Sequence, residues 1–230
     1  MLIRTTIYAA FMGLASAGQT QTIRWFEASP HADVFVVHSR PTGTFEEGLN
    51  RLEERAGRSV TMAMNGGMFH SDGTPVGLLV EGGAERFPLN LESGKRGNFF
   101  LLPNGVFGVD EAGAFHVVTT EGAAGMVWQE ATQSGPMLLI EGRPHPAFNE
   151  ASTNVNIRNG VGVRPDGSAV FGLSTEPVTF YAFAEAFAGK GCEQALYLDG
   201  AISRMCVADS CAFEAGGTFS VLIGVVDSAQ

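Results

Sequence analysis

Two stretches of the sequence combine glycines with a carboxylate in a way that suits hydrolytic chemistry. The first, Met-Asn-Gly-Gly-Met-Phe-His-Ser-Asp-Gly, has two adjacent glycines and then Asp72. The second, Ala-Leu-Tyr-Leu-Asp-Gly, is an apolar run that predicts a strand ending at Asp199. A strand end holds a side chain rigidly, and two carboxylates that flank a sugar bond can act as acid, base or nucleophile. We therefore take Asp199 as the first candidate for nucleophile or general base, and Asp72 as the second carboxylate.

Both stretches also have a plainer structural interpretation. Asn-Gly-Gly is a common hairpin turn, and an aspartate before a glycine often starts a turn by accepting hydrogen bonds from nearby amides. His70 and Ser71 add polar groups beside Asp72, which favours a site over a bare turn. The residues alone leave both interpretations open at each stretch.

Positive charge is carried almost entirely by arginine, since Lys95 and Lys190 are the lysines among 14 Lys+Arg. Arg158 comes just before a glycine-rich strand, and Arg204 follows Asp199 closely. Arginine binds phosphate oxygens through paired N–H groups, so these two arginines together predict a forked anion clamp. Taken singly, an arginine is more often a solvated surface residue or a partner in a weak ion pair.

A polar segment, Thr-Gln-Ser-Gly-Pro over 132–136, predicts a turn before the apolar strand at 137–141. Its Ser134 would donate to a ligand oxygen or merely satisfy the turn.

The sequence lacks the GxSxG, HExxH and Walker motifs, which removes the commonest hydrolase and nucleotide-binding interpretations. No cofactor and no metal is expected, because nothing in the spacing demands one. A metal-dependent hydrolase that uses Asp72, Asp199 and His70 remains an alternative.

The composition excludes several classes of protein. The chain has 230 residues, of which 45% are hydrophobic and 17% charged, and its formal net charge is -10. That apolar fraction excludes disorder, and a chain of this length can bury a sizeable core. A nucleic-acid binder needs a concentrated basic surface, which this balance disfavours. The expected partner is a small molecule or glycan.

Short apolar runs, 30 glycines and frequent turn signals predict a single α+β domain, rich in strands, with mixed or antiparallel sheets and few helices. A capping box predicts a helix over 45–56, and a stripe of phenylalanines predicts a second over 180–188. Hairpin turns are expected at 104–105 and 166–167. Strands are predicted at 22–27, 34–38, 60–64, 76–81, 98–102, 114–119, 137–141, 161–164, 169–173, 195–198 and 219–226.

The N-terminus has the form of a secretory signal peptide. One positive charge at Arg4 precedes a short apolar stretch and the triplet Ala-Ser-Ala, which ends at Ala17. The stretch is shorter than the roughly 20 apolar residues of a membrane-spanning helix. We expect residues 1–17 to be removed and residues 18–230 to form a periplasmic or secreted domain that does not span a membrane. A buried first strand or helix is the alternative.

The chain has three cysteines, an odd number, so one of them would stay unpaired in an oxidising compartment. Cys206 and Cys211 are close enough to close a small loop, which would leave Cys192 free. A bridge between Cys192 and Cys206 stays open as an alternative. A lone Cys192 is more often a buried thiol than a nucleophile.

The order of the motifs is similar to that of a known family. Residues 60–225 contain in succession Asn-Gly-Gly-Met-Phe, Pro-Val-Gly, Ser-Gly-Pro, Arg-Asn-Gly-Val-Gly-Val and Leu-Asp-Gly-Ala-Ile-Ser-Arg. This combination resembles the phosphodiester glycosidase family. The resemblance implies an α/β-type domain with mixed sheets that hydrolyses a sugar-1-phosphodiester and releases the free sugar. Many members continue the last motif as Leu-Asp-Gly-Gly-Gly-Ser, whereas this chain has Ala201 and Ile202 after the first glycine.

The same resemblance implies a role for each motif. Its Asn-Gly-Gly corresponds to Asn65, Gly66 and Gly67, which with Ser134 would orient sugar or phosphate oxygens. Its mid-chain arginine is Arg158, which with Arg204 would hold the phosphate, and its Leu-Asp-Gly supplies Asp199.

One alternative function belongs to another class. A non-catalytic exported module could use the same cleft to bind glycan or an anionic polymer, and the changed residues after Gly200 favour it. Catalysis requires Asp72, Asp199, Arg158 and Asn65 to converge on one pocket, whereas structural turns would scatter them.

Overall fold

The chain is built on three antiparallel sheets. This computed structural model describes residues 22–30, 32–39, 43–200, 202–208, 210–212 and 217–226. The described helices are α1 (Phe45–Ala56), α2 (Thr120–Ala123) and α3 (Phe180–Gly189). In chain order the described strands are β1 (Ile23–Ala28), β2 (Asp33–His38), β3 (Met62–Asn65), β4 (Leu79–Glu81), β5 (Ala84–Phe87), β6 (Gly105–Asp110), β7 (Phe115–Thr119), β8 (Trp128–Ser134), β9 (Met137–Ile140), β10 (Arg143–Pro144), β11 (Asn159–Val163), β12 (Ala169–Ser174), β13 (Gln194–Tyr197), β14 (Met205–Val207), β15 (Ser210–Ala212) and β16 (Val221–Val226).

The strand order sets which chain segments become neighbours. The first sheet runs β1-β12-β11-β13-β9-β10, the second β15-β14-β3-β16-β2 and the third β5-β4-β8-β6-β7. The predicted α+β class is therefore confirmed, with antiparallel pairing throughout the described strands. No described helix is long and apolar enough to cross a membrane.

The three sheets bury one shared apolar core. Met64 of β3, Phe107 of β6 and Phe171 of β12 belong to the same cluster, and all three are fully buried. Each side chain of this size contributes about 1.5–3 kcal/mol by leaving water. Because all three sheets share this core, the strand ends that bear the motifs are held in fixed positions relative to one another.

Helix α1 follows the sequence prediction residue for residue. The Thr44 hydroxyl accepts from the Glu47 N–H, and the Glu47 carboxylate accepts from the Thr44 N–H at 2.8 Å, which completes the capping box. The helix ends at Gly57, whose φ of 67° is left-handed. Helix α3 is one residue longer than predicted, and its buried Phe183 and Phe187 pack in the apolar cluster beside the first sheet.

Several local predictions were wrong. Residues predicted as a strand at 98–102 form a 3-10 turn over Asn98–Phe100. Their N–H groups bond three residues back, Phe100 to the Gly97 oxygen at 3.1 Å and Leu101 to the Asn98 oxygen at 3.2 Å, and not to a neighbouring strand. The expected hairpin at 104–105 is consequently absent, and Gly105 instead begins β6. Thr132 lies inside β8, so the polar segment 132–136 is strand as far as Ser134 and turns only after it. Sequence analysis also missed β5, β6, β8, β10, β14 and β15.

The hairpin predicted at 166–167 is confirmed, since it joins β11 to β12 with Gly167 at a φ of 83°.

The disulfide joins Cys206 and Cys211, which lie opposite each other on β14 and β15. The alternative bridge to Cys192 is therefore wrong. Cys192 is free and buried, and burial raises its thiol pKa to about 11, so the thiolate is not available as a nucleophile near neutral pH. The predicted signal peptide lies outside the described residues.

Candidate active site

The side-chain amide of Asn65 ties the first motif to the last. Its Nδ2 donates to the backbone oxygen of Asp199 at 2.7 Å, and its Oδ1 accepts from the Arg204 N–H at 2.9 Å. The backbone adds a bond from the Asp199 N–H to the Gly66 oxygen at 3.1 Å. Asn65 is 2% exposed, so these bonds are shielded from water and hold the two motifs in one place.

Gly67 packs against the end of β8, where Ser134 lies. The Gly67 N–H donates to the Thr132 hydroxyl at 3.2 Å, and a β-carbon at Gly67 would overlap the Gln133 carbonyl. This close approach explains why the second position of the pair is glycine. Ser134 is fully buried, and its hydroxyl has no hydrogen-bond partner among the described residues.

The third motif lies across the sheet from Asp199. Strands β11 and β13 pair with Gly160 opposite Tyr197, and the Leu198 N–H donates to the Asn159 oxygen at 3.1 Å. The Asn159 amide also donates to the Asn65 oxygen at 2.9 Å. The Asn-Gly-Gly and Arg-Asn-Gly motifs therefore adjoin the turn that begins at Asp199. The Ser-Gly-Pro motif adjoins the strand that leads to this turn, since the Tyr197 N–H donates to the Pro136 oxygen at 3.0 Å.

Arg158 is a buried cation that donates to backbone oxygens. It is 1% exposed, its Nε donates to the Val178 oxygen at 2.9 Å and its Nη2 donates to the Asn154 oxygen at 3.2 Å. The guanidinium lies 3.6 Å from the ring centre of Phe180. Burial lowers the pKa of Arg158, and the neighbouring Tyr197 side chain opposes this shift.

Arg204 is held by a different set of groups. Its Nη1 lies 2.8 Å from a carboxylate oxygen of Glu46, and its guanidinium lies 4.7 Å from the ring centre of Phe45. Its Nε is buried without a hydrogen-bond partner among the described residues. Arg158 and Arg204 therefore have separate partners. Their guanidinium groups do not form the paired anion clamp that the sequence predicted.

Asp72 lies apart from this network, on an exposed turn. Its carboxylate accepts from the Thr74 N–H at 2.9 Å, and this bond lowers its pKa below the ordinary value. The turn is anchored from behind, because the Gly73 oxygen accepts from the hydroxyl of Ser220 and contacts His38 Nε2 at 3.0 Å. The hydrogen bonds that join Asn65, Asp199 and Arg204 do not include Asp72.

Comparison with known proteins identifies the family. A family model described as phosphodiester glycosidase matches residues 58–222, well over half of the chain. The protein belongs to the phosphodiester glycosidase family.

A bacterial protein is similar to this chain in sequence. Uncharacterized protein YigE of Escherichia coli (strain K12) is 44% identical over 149 residues, which are 64% of this chain and 58% of that protein. The chain therefore spans a little over half the length of that relative.

Solved structures share the fold at low identity. The catalytic domain of zebrafish N-acetylglucosamine-1-phosphodiester alpha-N-acetylglucosaminidase, auto-inhibited by its pro-peptide, matches with a TM-score of 0.60 at 14% identity, over 90% of this chain and 89% of that one. A hypothetical protein from Synechocystis matches with a TM-score of 0.56 at 14% identity, over 88% of this chain and 58% of that one.

Sequence analysis missed two residues of this candidate site. Asn159 bridges two motifs, and its place directly after Arg158 was the available signal. Tyr197 lies two residues before Asp199 on a strand, and the two-residue period of a strand puts both side chains on one face.

His70 lies on the same exposed turn as Asp72. Within the residues that the structure describes, no group of three or more His, Cys, Asp and Glu side chains is placed to hold a metal ion.

Proposed function

We propose that the protein is a hydrolase that cleaves the C1–O bond of a sugar-1-phosphodiester. The observation that carries this proposal is the hydrogen-bond network in which Asn65 joins Asp199, Asn159 and Arg204. Asp72 lies outside this network, so the proposed mechanism rests on one carboxylate. Membership of the family makes a glycan-type substrate the natural choice. The zebrafish relative is named for an N-acetylglucosamine-1-phosphodiester, and for this chain we carry over only the class of bond.

The leaving group decides what the site must supply. A departing phosphate monoester is already a stable anion, so protonation by a strong acid matters less than for an ordinary glycoside. The transition state needs a negative charge near the oxocarbenium-like sugar carbon, and Asp199 supplies it. Water then adds its oxygen to C1 and gives up one proton, the C1–O bond breaks, and the phosphate leaves with the bonding electrons.

The other site residues bind and orient. Asn65, the Gly66-Gly67 backbone and the unpartnered Ser134 hydroxyl would contact sugar or phosphate oxygens. Arg204 is our candidate for the phosphate, since its Nε has no hydrogen-bond partner among the described residues and guanidinium suits phosphate. Arg158, whose guanidinium lies 5.6 Å from the Tyr197 ring centre, would add positive charge near the departing phosphate.

Export to the periplasm or the medium is part of the proposal. The disulfide between Cys206 and Cys211 is typical of proteins that fold in oxidising compartments, in keeping with the signal-like sequence over residues 1–17.

Hydrolysis in ¹⁸O-labelled water tests the reaction class directly. The purified protein would be incubated with a panel of sugar-1-phosphodiesters, with Asp199→Asn as the control variant. Cleavage of C1–O places the label on the released sugar, and label on the phosphate would contradict the proposal. NMR of the first anomer released then separates a nucleophilic Asp199, which retains configuration, from a general base, which inverts it.

The non-catalytic alternative is favoured by Ala201 and Ile202, which stand where many family members have glycines. It predicts that panel members or anionic glycans bind without release of sugar, and the same assay combined with calorimetry distinguishes it.

A further inference from the structure

The side-chain amide of Gln133 makes four hydrogen bonds inside the protein. Its Oε1 accepts from the Leu78 N–H and from the Asn90 N–H, each at 2.9 Å. Its Nε2 donates to the Asn90 oxygen at 2.8 Å and to the Thr120 hydroxyl at 3.0 Å. A side-chain amide has two acceptor sites and two donors, so all four are used in Gln133, which is 2% exposed.

Two segments that Gln133 contacts also line a cavity. The cavity has a volume of about 340 Å³, and residues 75–77 and 87–92 form its walls. The Gln133 amide bonds to the residue that follows the first wall and to Asn90 within the second. The Asn90 side chain adds a direct bond between the walls, from its Nδ2 to the Val76 oxygen at 2.7 Å. Gln133 and Asn90 therefore fix the two walls relative to each other.

The segment from the Asn-Gly-Gly motif to the first wall rests on Gln133 at both ends. At its start, a β-carbon at Gly67 would overlap the Gln133 backbone oxygen. At its end, the Gln133 N–H donates to the Leu78 oxygen at 2.9 Å, and a β-carbon at Gly77 would overlap the Gln133 side-chain oxygen. The close approach of this amide therefore explains the glycine of the Pro-Val-Gly motif.

We propose that Gln133 is a positioning residue, whose amide holds the two cavity walls and the Asn-Gly-Gly segment in the arrangement that binds the substrate. The part of this inference that concerns the substrate rests on the proposed function. Apolar packing does not require the amide, because methionine has a similar length and would fill the same space without hydrogen bonds. The four partners of the amide therefore explain why a polar side chain is buried here.

The lining of the cavity indicates which part of the substrate it would take. Val76, Phe87 and Leu91 are among its apolar residues, and Leu91 is 68% exposed. The charged residue among the described residues of the lining is Glu92, an anion. A phosphate would be repelled by this carboxylate, so the cavity suits an uncharged part of the substrate.

The test compares Gln133→Met with Gln129→Met, a matched control on the same strand whose side chain is exposed. Amide hydrogen exchange of Leu78 and Asn90, measured by NMR, reports on the walls whether or not a substrate is known. We expect both amides to exchange about 10-fold faster in Gln133→Met, because each loses its acceptor. On the best phosphodiester of the panel, KM should rise about 10-fold and kcat should stay within about threefold, as for lost substrate binding. Gln129→Met should leave exchange, KM and kcat unchanged.

Asn90→Ala is the second variant, for the case in which Gln133→Met does not fold. It removes the bond to the Val76 oxygen from a half-buried side chain and leaves the Gln133 amide in place. KM should again rise, by a smaller factor of about threefold, with kcat unchanged.

Unchanged exchange at Leu78 and Asn90 in Gln133→Met would overturn the proposal. In an active enzyme, so would an unchanged KM in that variant, or in Asn90→Ala where Gln133→Met does not fold. A fall in kcat with KM unchanged would also overturn it, because that pattern belongs to an interaction made only in the transition state. If the wild-type protein cleaves no member of the panel, the proposed function fails, and amide exchange alone then decides whether Gln133 holds the walls.

Discussion

Asp199 and Asp72 both lie in turns, but the two turns are held by different kinds of contact. The Asp199 backbone is bonded on both sides, to the Gly66 oxygen and to the Asn65 amide. The Asp72 turn is exposed, and its carboxylate accepts from the Thr74 N–H two residues further on. One turn is built by residues distant in sequence, and the other largely by its own residues.

This difference matters because a catalytic carboxylate must be held in position by contacts from other parts of the fold. The Asn65 bond to Asp199 spans 134 residues of sequence, so the rigid sheet, and not the local turn, sets the position of Asp199. The Asp72 carboxylate is used to form its own turn. The contacts therefore support Asp199 as the reactive group, and they support Asp72 as a stabiliser of its turn.

Replacing Asp199 with asparagine should produce the largest effect. Asparagine keeps the size and the backbone contacts but removes the charge and the basicity, so kcat should fall about 10²- to 10⁴-fold. The measurement is kcat on the best phosphodiester, with thermal unfolding as a check that the fold is intact. An activity within threefold of wild type would remove Asp199 from the mechanism.

Asn65→Ala should weaken the Asp199 side of the comparison without touching a carboxylate. The change leaves the Arg204 N–H and the Asp199 oxygen without their partner in a buried site, which costs about 1–3 kcal/mol. Urea unfolding measures this loss. The control is Asn149→Ala, an exposed asparagine whose amide oxygen accepts from Ala151 in its own turn, and there a change within about 0.5 kcal/mol is expected. Equal effects in the two variants would mean that Asn65 is no more than a turn residue.

Asp72→Asn should change kcat by less than about threefold, a barrier change below 1 kcal/mol. The asparagine oxygen can still accept from Thr74, so the turn is kept. The same phosphodiester assay measures it. A drop comparable to that of Asp199→Asn would erase the contrast between the two turns and restore a mechanism with two carboxylates.

The smallest expected effect is in the acid stability of that variant. The Thr74 hydrogen bond holds the pKa of Asp72 below 3.8, so the unfolded chain binds a proton more readily there than the folded one. The stability from this carboxylate is full above that value and is lost as the pH falls through the folded pKa. The wild-type Tm should therefore exceed that of Asp72→Asn near neutral pH, and the gap should close as the pH falls through the folded pKa of Asp72. A gap that widens in acid would show that the carboxylate is not stabilised by its turn.

Prediction of the fold from sequence worked best where neighbours along the chain supply the interactions. The α1 capping box and the hairpin at 166–167 both depend on residues within a few positions of each other. Strand β8 was missed because Gln133 and Ser134 are polar yet buried. Its hydrogen-bonding partners lie in distant strands, which local polarity cannot reveal.

The candidate site divides in the same way. The sequence motifs point to Asn65, Gly67, Ser134 and Asp199, and the structure brings their segments together. The anion clamp was the part that sequence could not decide. Whether an arginine is exposed to a ligand or buried in the protein depends on which residues pack over it. The Arg158 guanidinium is covered by Phe180, the first residue of α3, which lies 22 residues later in the chain.

The amino-acid sequence by itself determined the ends of α1, the hairpin at 166–167, the strand-rich class and the residue types that the chemistry needs, because these follow from short-range sterics and hydrogen bonds. Only the tertiary structure decided which aspartate is fixed by the sheet, which arginine is buried, and that Gly200 packs against the Tyr197 hydroxyl. Those outcomes depend on register between strands far apart in the chain, which is set by packing of the shared core.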